Sequence, residues 1–125
     1  MYRVEQESKV WGTALHVFSD PHAAVSVLRT EKGAYCSKHF HSQRVNRFIA
    51  ESGSIDVVEY DPGGQFEISR IRLNPGDVHD VEAGVVHRFE VIESGVVVEV
   101  YFPQRPTDRV SHDDIVRLDL GGLSN

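Results

Sequence analysis

Two segments of this chain carry residues whose type and spacing suit metal chemistry. The first is Gly33-Ala34-Tyr35-Cys36-Ser37-Lys38-His39-Phe40-His41, which ends in two histidines separated by one residue. On a strand, residues i and i+2 share a face, so both imidazoles can converge on one ion. Taken alone, a His-x-His pair also fits two exposed strand histidines. The second segment runs from Leu73-Asn74-Pro75-Gly76 to Val85-Val86-His87-Arg88-Phe89 and brings a third histidine to a later strand after a glycine-rich turn. Neutral imidazole is the commonest transition-metal ligand, and seven histidines in 125 residues make that chemistry the first to consider.

The elements that would position these groups are short. Apolar or alternating runs recur between turn signals: Gly12–Phe18 before Ser19-Asp20-Pro21-His22, Ala23–Arg29 before Glu31-Lys32-Gly33, then Ala34–His41. Phe48–Ala50 is closed by Glu51-Ser52-Gly53, Ile55–Tyr60 by Asp61-Pro62-Gly63-Gly64, and Gln65–Leu73 by Asn74-Pro75-Gly76. His87–Glu93 and Val96–Phe102 flank Ser94-Gly95. Such spacing, rich in Val, Ile, Phe and Tyr, predicts an all-β antiparallel sandwich or barrel, with hairpins at the Asp-Pro-Gly-Gly and Ser-Gly turns. The alternation over Asp113–Leu120 predicts a terminal strand. Helix is nearly absent from this pattern.

The composition sets outer bounds. A chain of 125 residues fits one domain, read here as 1–125, and 40% hydrophobic with 26% charged residues is ordinary for a globule. The balance of 13 Lys and Arg against 19 Asp and Glu gives −6, without a basic stripe, which disfavours nucleic acid and anionic membrane as partners. No apolar run reaches membrane-spanning length. The opening residues lack the apolar stretch of a secretory signal, and Cys36 by itself forms no internal disulfide; a cytoplasmic setting is the expectation.

In sequence the chain resembles the cupin superfamily. Its first motif is Gly, five residues, His-x-His, three or four residues, Glu, six residues and Gly; Gly33, His39, His41, Asn46 and Gly53 match that spacing, with Asn in place of Glu. Its second motif, Gly, five residues, Pro-x-Gly, two residues, His, three residues, Asn, is met by Gly76, Glu82-Ala83-Gly84, His87 and Val91, with Glu and Val replacing Pro and Asn. The resemblance implies a double-stranded β-helix, or jelly roll, holding one divalent transition metal (Zn, Mn, Fe, Ni or Co) at His39, His41 and His87. Asn46 stands where the family's carboxylate ligand stands. An amide oxygen binds a divalent cation more weakly, so a three-histidine site, a site with Asn46 as distant ligand, and loss of the metal are all open.

Shorter matches resemble the small sugar-isomerase group related to mannose-6-phosphate isomerase: Lys9-Val10-Trp11-Gly12, the run from Lys38 to Phe48, and Asp113-Asp114-Ile115-Val116-Arg117. That likeness implies isomerisation or epimerisation of a sugar or sugar phosphate. For the base, the sequence offers Glu99 within Val96–Phe102, where an apolar strand would raise its pKa, with Glu59 as rival. Strand alternation could equally turn Glu99 to solvent. Arg44 is the candidate for a phosphate or carboxylate of the ligand, against a solvated turn arginine. His79 reads as a rim residue, and His16, His22 and His112 carry no assignment. Two other classes remain beside the isomerase: an iron-dependent dioxygenase-like cupin, favoured by a carboxylate-free histidine site, and a non-catalytic small-molecule-binding cupin. A homodimer is expected, because Val96, Val98 and Val100 would form an apolar outer face if Glu99 points inward.

Overall fold

The computed structural model describes residue 1 and residues 3–124. The strands are β1 (Glu5–Lys9), β2 (Gly12–Asp20), β3 (Ala23–Thr30), β4 (Ala34–Tyr35), β5 (His39–Phe40), β6 (Arg44–Tyr60), β7 (Glu67–Leu73), β8 (Val78–Val81), β9 (His87–Pro103), β10 (Val116–Arg117) and β11 (Gly122–Leu123). All pairings are antiparallel, and no helix occurs among the described residues. The all-β jelly roll expected from the sequence is the observed fold.

Two strands of 17 residues organise it. β6 and β9 pair from Arg44 opposite Pro103 to Glu59 opposite His87, with register shifts between Ala50 and Ile55. On its other edge β6 takes β8 over Asn46–Ile49 and β7 over Ile55–Tyr60. The early half of β9 takes β4 and β5, and its later half takes β3, which continues through β2 to β1. The long pair thus belongs to both halves of the roll and curls the sheet around one interior. Trp11, Leu28, Phe48, Ile55, Val57, Leu73, Phe89 and Val97 fill its closed part. Trp11 meets Phe89 edge-on with ring centroids 5.1 Å apart.

Three expectations are corrected. Glu51-Ser52-Gly53 and Ser94-Gly95 do not reverse the chain; they face one another where β6 and β9 bend together. Gly53 adopts φ 68° at the register shift, and a Cβ on Gly95 would lie 2.0 Å from the Ser52 carbonyl oxygen. Turn-forming residues here serve a bulge, because both strands keep pairing beyond it. Ala34–His41 is not one strand: it breaks between Tyr35 and His39. Asp113–Leu120 is not a terminal strand either, since only Val116 and Arg117 pair, with Phe40 and His39. Its flanking aspartates bind backbone amides instead. Asp114 accepts from the amides of Ser42 (2.7 Å) and Gln43 (2.9 Å), and Asp119 from that of Lys38 (2.6 Å). The hairpin at Asp61-Pro62-Gly63-Gly64 is present, joining β6 to β7.

Candidate metal centre

β5 and the start of β9 bring three imidazoles into the interior. His39 lies directly opposite His87 in the ladder, and His41 follows two residues along. Ring centroids are 4.6 Å apart for His39 and His87, 4.9 Å for His39 and His41, and 5.5 Å for His41 and His87. One ring nitrogen from each lies within 4.8 Å of the others. All three are buried.

Their protonation follows from their partners. A carbonyl oxygen only accepts, so each Nδ1 that meets one carries the hydrogen. His39 Nδ1 donates to Ser37 O at 2.7 Å, His41 Nδ1 to Asp114 O at 2.7 Å, and His87 Nδ1 to Val85 O at 2.9 Å. The tight turn at Gly84 (φ 86°), which only a residue without Cβ adopts readily, leads into Val85 and so sets the last of these. Burial disfavours the imidazolium in every case: it lowers His87 to about 4 and His41 to about 3, the latter helped by Arg44, and it holds His39 well below the usual range. Three neutral rings are left with Nε2 lone pairs free for a ligand.

Two features test whether a cation fits. His41 Nε2 is buried and has no hydrogen-bond partner among the described residues. His87 Nε2 faces Asn46 Oδ1 at 3.1 Å, and in this tautomer both atoms are acceptors. Asn46 Nδ2 is committed to Glu99 Oε2 at 3.2 Å. Turning the amide over would relieve the facing lone pairs only by aiming Oδ1 at a carboxylate. An orphaned lone pair and two opposed ones are what a shared cation relieves, and imidazole nitrogen with amide oxygen suits a divalent transition metal. Asn46, fully buried, sets its Oδ1 against the His87 edge of the cluster.

The centre opens on a cavity of about 830 Å³, lined among others by His39, Arg44, Glu99 and Tyr101. Glu99 faces this cavity and not solvent; burial raises its carboxyl, while Asn46 and Tyr101 oppose that rise through hydrogen bonds. Arg44 is no solvated turn residue. It is 6% exposed, donates from Nη1 to Ser111 O, stacks 3.8 Å above the Tyr101 ring, and has a buried Nε without a partner among the described residues. Glu59, the rival base, instead pairs with His79 at 3.0 Å; that pairing places His79 on β8, not in a rim turn.

Sequence reasoning missed the part played by the C-terminal segment in holding His41 and Arg44 through the backbone of Asp114 and Ser111. The only signal for it lay in the paired aspartates of the Asp113-Asp114-Ile115-Val116-Arg117 run.

No family model matches the chain, and no curated protein matches it. Among solved structures it is similar to oxalate decarboxylase from Bacillus subtilis. The structure of that enzyme at pH 4.6 superposes with a TM-score of 0.72 at 20% identity, over 92% of this chain and 30% of that one. A structure of the same enzyme concerned with its Mn(II) centres gives 0.73 and 18%, with the same coverage. The chain thus spans about a third of the length of that enzyme. At this identity the likeness concerns the fold: a cupin-type jelly roll, here carrying a buried three-histidine cluster fit for a divalent metal.

Proposed function

We propose that the protein is a metal-dependent enzyme that moves a proton on a small, oxygen-rich ligand, with a sugar or sugar phosphate in its open-chain form as the substrate class. The observation that carries this reading is the placement of Glu99 on the cavity wall, joined through Asn46 to the three-histidine cluster. His39, His41, His87 and Asn46 would hold the metal, which supplies Lewis acidity toward a carbonyl and its neighbouring hydroxyl. Manganese is the first metal to test, given the Mn(II) centres of the structurally similar decarboxylase.

Glu99 takes the proton from one carbon and returns it to the next, and its desolvation matches its basicity to that task. Arg44, buried and with Nε free, binds the phosphate or carboxylate end of the ligand. The sugar-isomerase resemblance of the terminal segments supports the choice of substrate. The carboxylate-free donor set favours a second reading, an iron-dependent oxygenase acting on a chelating ligand.

The outer face of the sheet supports a homodimer. Leu15, Val27, Val98, Ile49 and Val78 stand opposite one another across five strands, forming an apolar row on the side away from the cavity. The row is half-buried along Leu15, Val27, Val98 and Ile49 and exposed at Val78, and a contiguous apolar row of this kind suits an association surface.

The test has two parts. Mn(II) binding followed by electron paramagnetic resonance should disappear in the double variant His39→Ala/His41→Ala. Metal-loaded protein incubated with aldoses, ketoses and their phosphates in D₂O should place deuterium on carbon, and Glu99→Gln should lose the exchange while keeping the metal. Retained metal in the double variant overturns the site. Absent exchange with every sugar, together with oxygen uptake on Fe(II) loading, would turn the assignment to the oxygenase.

A further inference from the structure

Directly opposed residues of antiparallel strands share one face of the sheet. His16 stands opposite Ser26, and Ser26 opposite Glu99, so the three form a transverse row on the cavity wall. Glu7 joins it from β1. Ser26 Oγ is 2.9 Å from His16 Nδ1, and Glu7 Oε1 is 3.1 Å from His16 Nε2. The chain of bonds runs inward from solvent: the Glu7 side chain is 43% exposed, that of His16 34%, and Ser26 is 6% exposed. All three line the same cavity as Glu99 and His39.

The polarity of the chain is fixed by its outer end. His16 and Lys9, whose Nζ is 3.1 Å from Oε2, hold the Glu7 carboxyl below its usual range. A carboxylate only accepts, so His16 carries its hydrogen on Nε2 and leaves Nδ1 to accept the Ser26 hydroxyl. Ser26 Oγ then presents lone pairs alone to the cavity, a partner for a ligand O–H. Acyl transfer does not suit it. Nucleophilic attack would need backbone N–H groups aimed at the developing oxyanion, and β3 is paired with β2 on one side and β9 on the other at Ser26. Three polar side chains tying β1, β2 and β3 together would account for the bonds but not for their lining of the cavity in a row that ends at Glu99.

We propose that Glu7, His16 and Ser26 form a second acid–base element, distinct from the metal centre, that recognises and deprotonates a hydroxyl on the ligand held at the three histidines. The proposal rests on the reading of those histidines as a metal site. The ligand hydroxyl gives its proton to Ser26 Oγ while Ser26 passes its own to His16 Nδ1. Serine ends unchanged, the imidazolium faces the Glu7 carboxylate, and the reverse transfer returns the proton. The ligand class is a polyol or hydroxy acid long enough to reach from His39 to Ser26.

Calorimetry on Mn(II)-loaded protein tests it with matched acids that differ by one hydroxyl: malate with succinate, lactate with propionate, and glycerate with 3-hydroxypropionate. Wild type should favour the acid with the additional hydroxyl in at least one pair by fivefold or more. Ser26→Ala should bind Mn(II) as wild type does and lose most of that preference, and His16→Gln should weaken it. Nitrogen-15 NMR of the metal-free protein should show His16 as the Nε2–H tautomer. Wild type that binds Mn(II) but favours the additional hydroxyl in no pair, or a preference unchanged in Ser26→Ala, overturns the proposal alone. An Nδ1–H tautomer at His16 overturns it as well. Failure of wild type to bind Mn(II), Zn(II) or Fe(II) overturns the metal reading first and this proposal with it.

Discussion

Metal-free protein taken from pH 7.5 to pH 5 is expected to lose about 4 kcal/mol of folding stability through two buried imidazoles. In the unfolded chain each histidine titrates near about 6.5. In the folded chain burial lowers His87 to about 4 and His41 to about 3. Between those values and about 6.5 the unfolded chain takes up protons that the folded chain refuses, so stability is full above this window and falls as the pH drops through it. At pH 5 each group accounts for a difference of roughly 1.5 pK units, or about 2 kcal/mol. Against a typical total of about 5–15 kcal/mol, that loss is large.

His39 shifts in the same direction and adds to the loss. Glu99 acts in the opposite sense: its raised carboxyl favours the folded state on acidification, and Glu99→Gln removes that offset. Asp56 and Asp80, lowered chiefly by Arg72 and Arg47, keep their contribution until the pH falls below the unfolded carboxylate value of about 3.9, outside the interval. Urea denaturation in the presence of a chelator, followed by the fluorescence of Trp11, the single tryptophan, reads the change. A loss below about 1 kcal/mol in the Glu99→Gln protein would refute the buried, neutral triad.

Asn46→Glu should tighten Mn(II) and Zn(II) binding at least tenfold, about 1.4 kcal/mol, because it places a charged ligand beside His87; unchanged affinity by calorimetry would mean that position 46 does not face the ion. Gly95→Ala should cost at least about 2 kcal/mol in the same denaturation assay, since its Cβ would meet the Ser52 carbonyl at 2.0 Å; a neutral result would show that the bend yields freely. Light scattering should give about twice the 14.0 kDa of one chain for wild type and a single chain for Val98→Glu, whereas a wild-type monomer would remove the apolar row as an interface.

The all-β character, the strands around most of the turns, and the three histidines were legible in the sequence, because period-two alternation and fixed spacing are local properties. The same local spacing singled out Asn46, which the fold sets beside His87. The sequence could not tell a turn from a bulge at Ser52-Gly53 and Ser94-Gly95: glycine serves both, and the choice depends on whether a partner strand continues past it. Nor could it join Asn46 to Glu99, bring Asp114 onto His41, or align Glu7 and His16 with Ser26. Those neighbours are 53, 73, 9 and 10 residues apart in the chain, and only the pairing registers decide them. Tertiary structure also decided against the solvated turn arginine that the sequence left open for Arg44, which is buried at 6% exposure. Its Nη1 donates to the Ser111 carbonyl and its guanidinium stacks on Tyr101, partners 67 and 57 residues along the chain that no local pattern around residue 44 encodes.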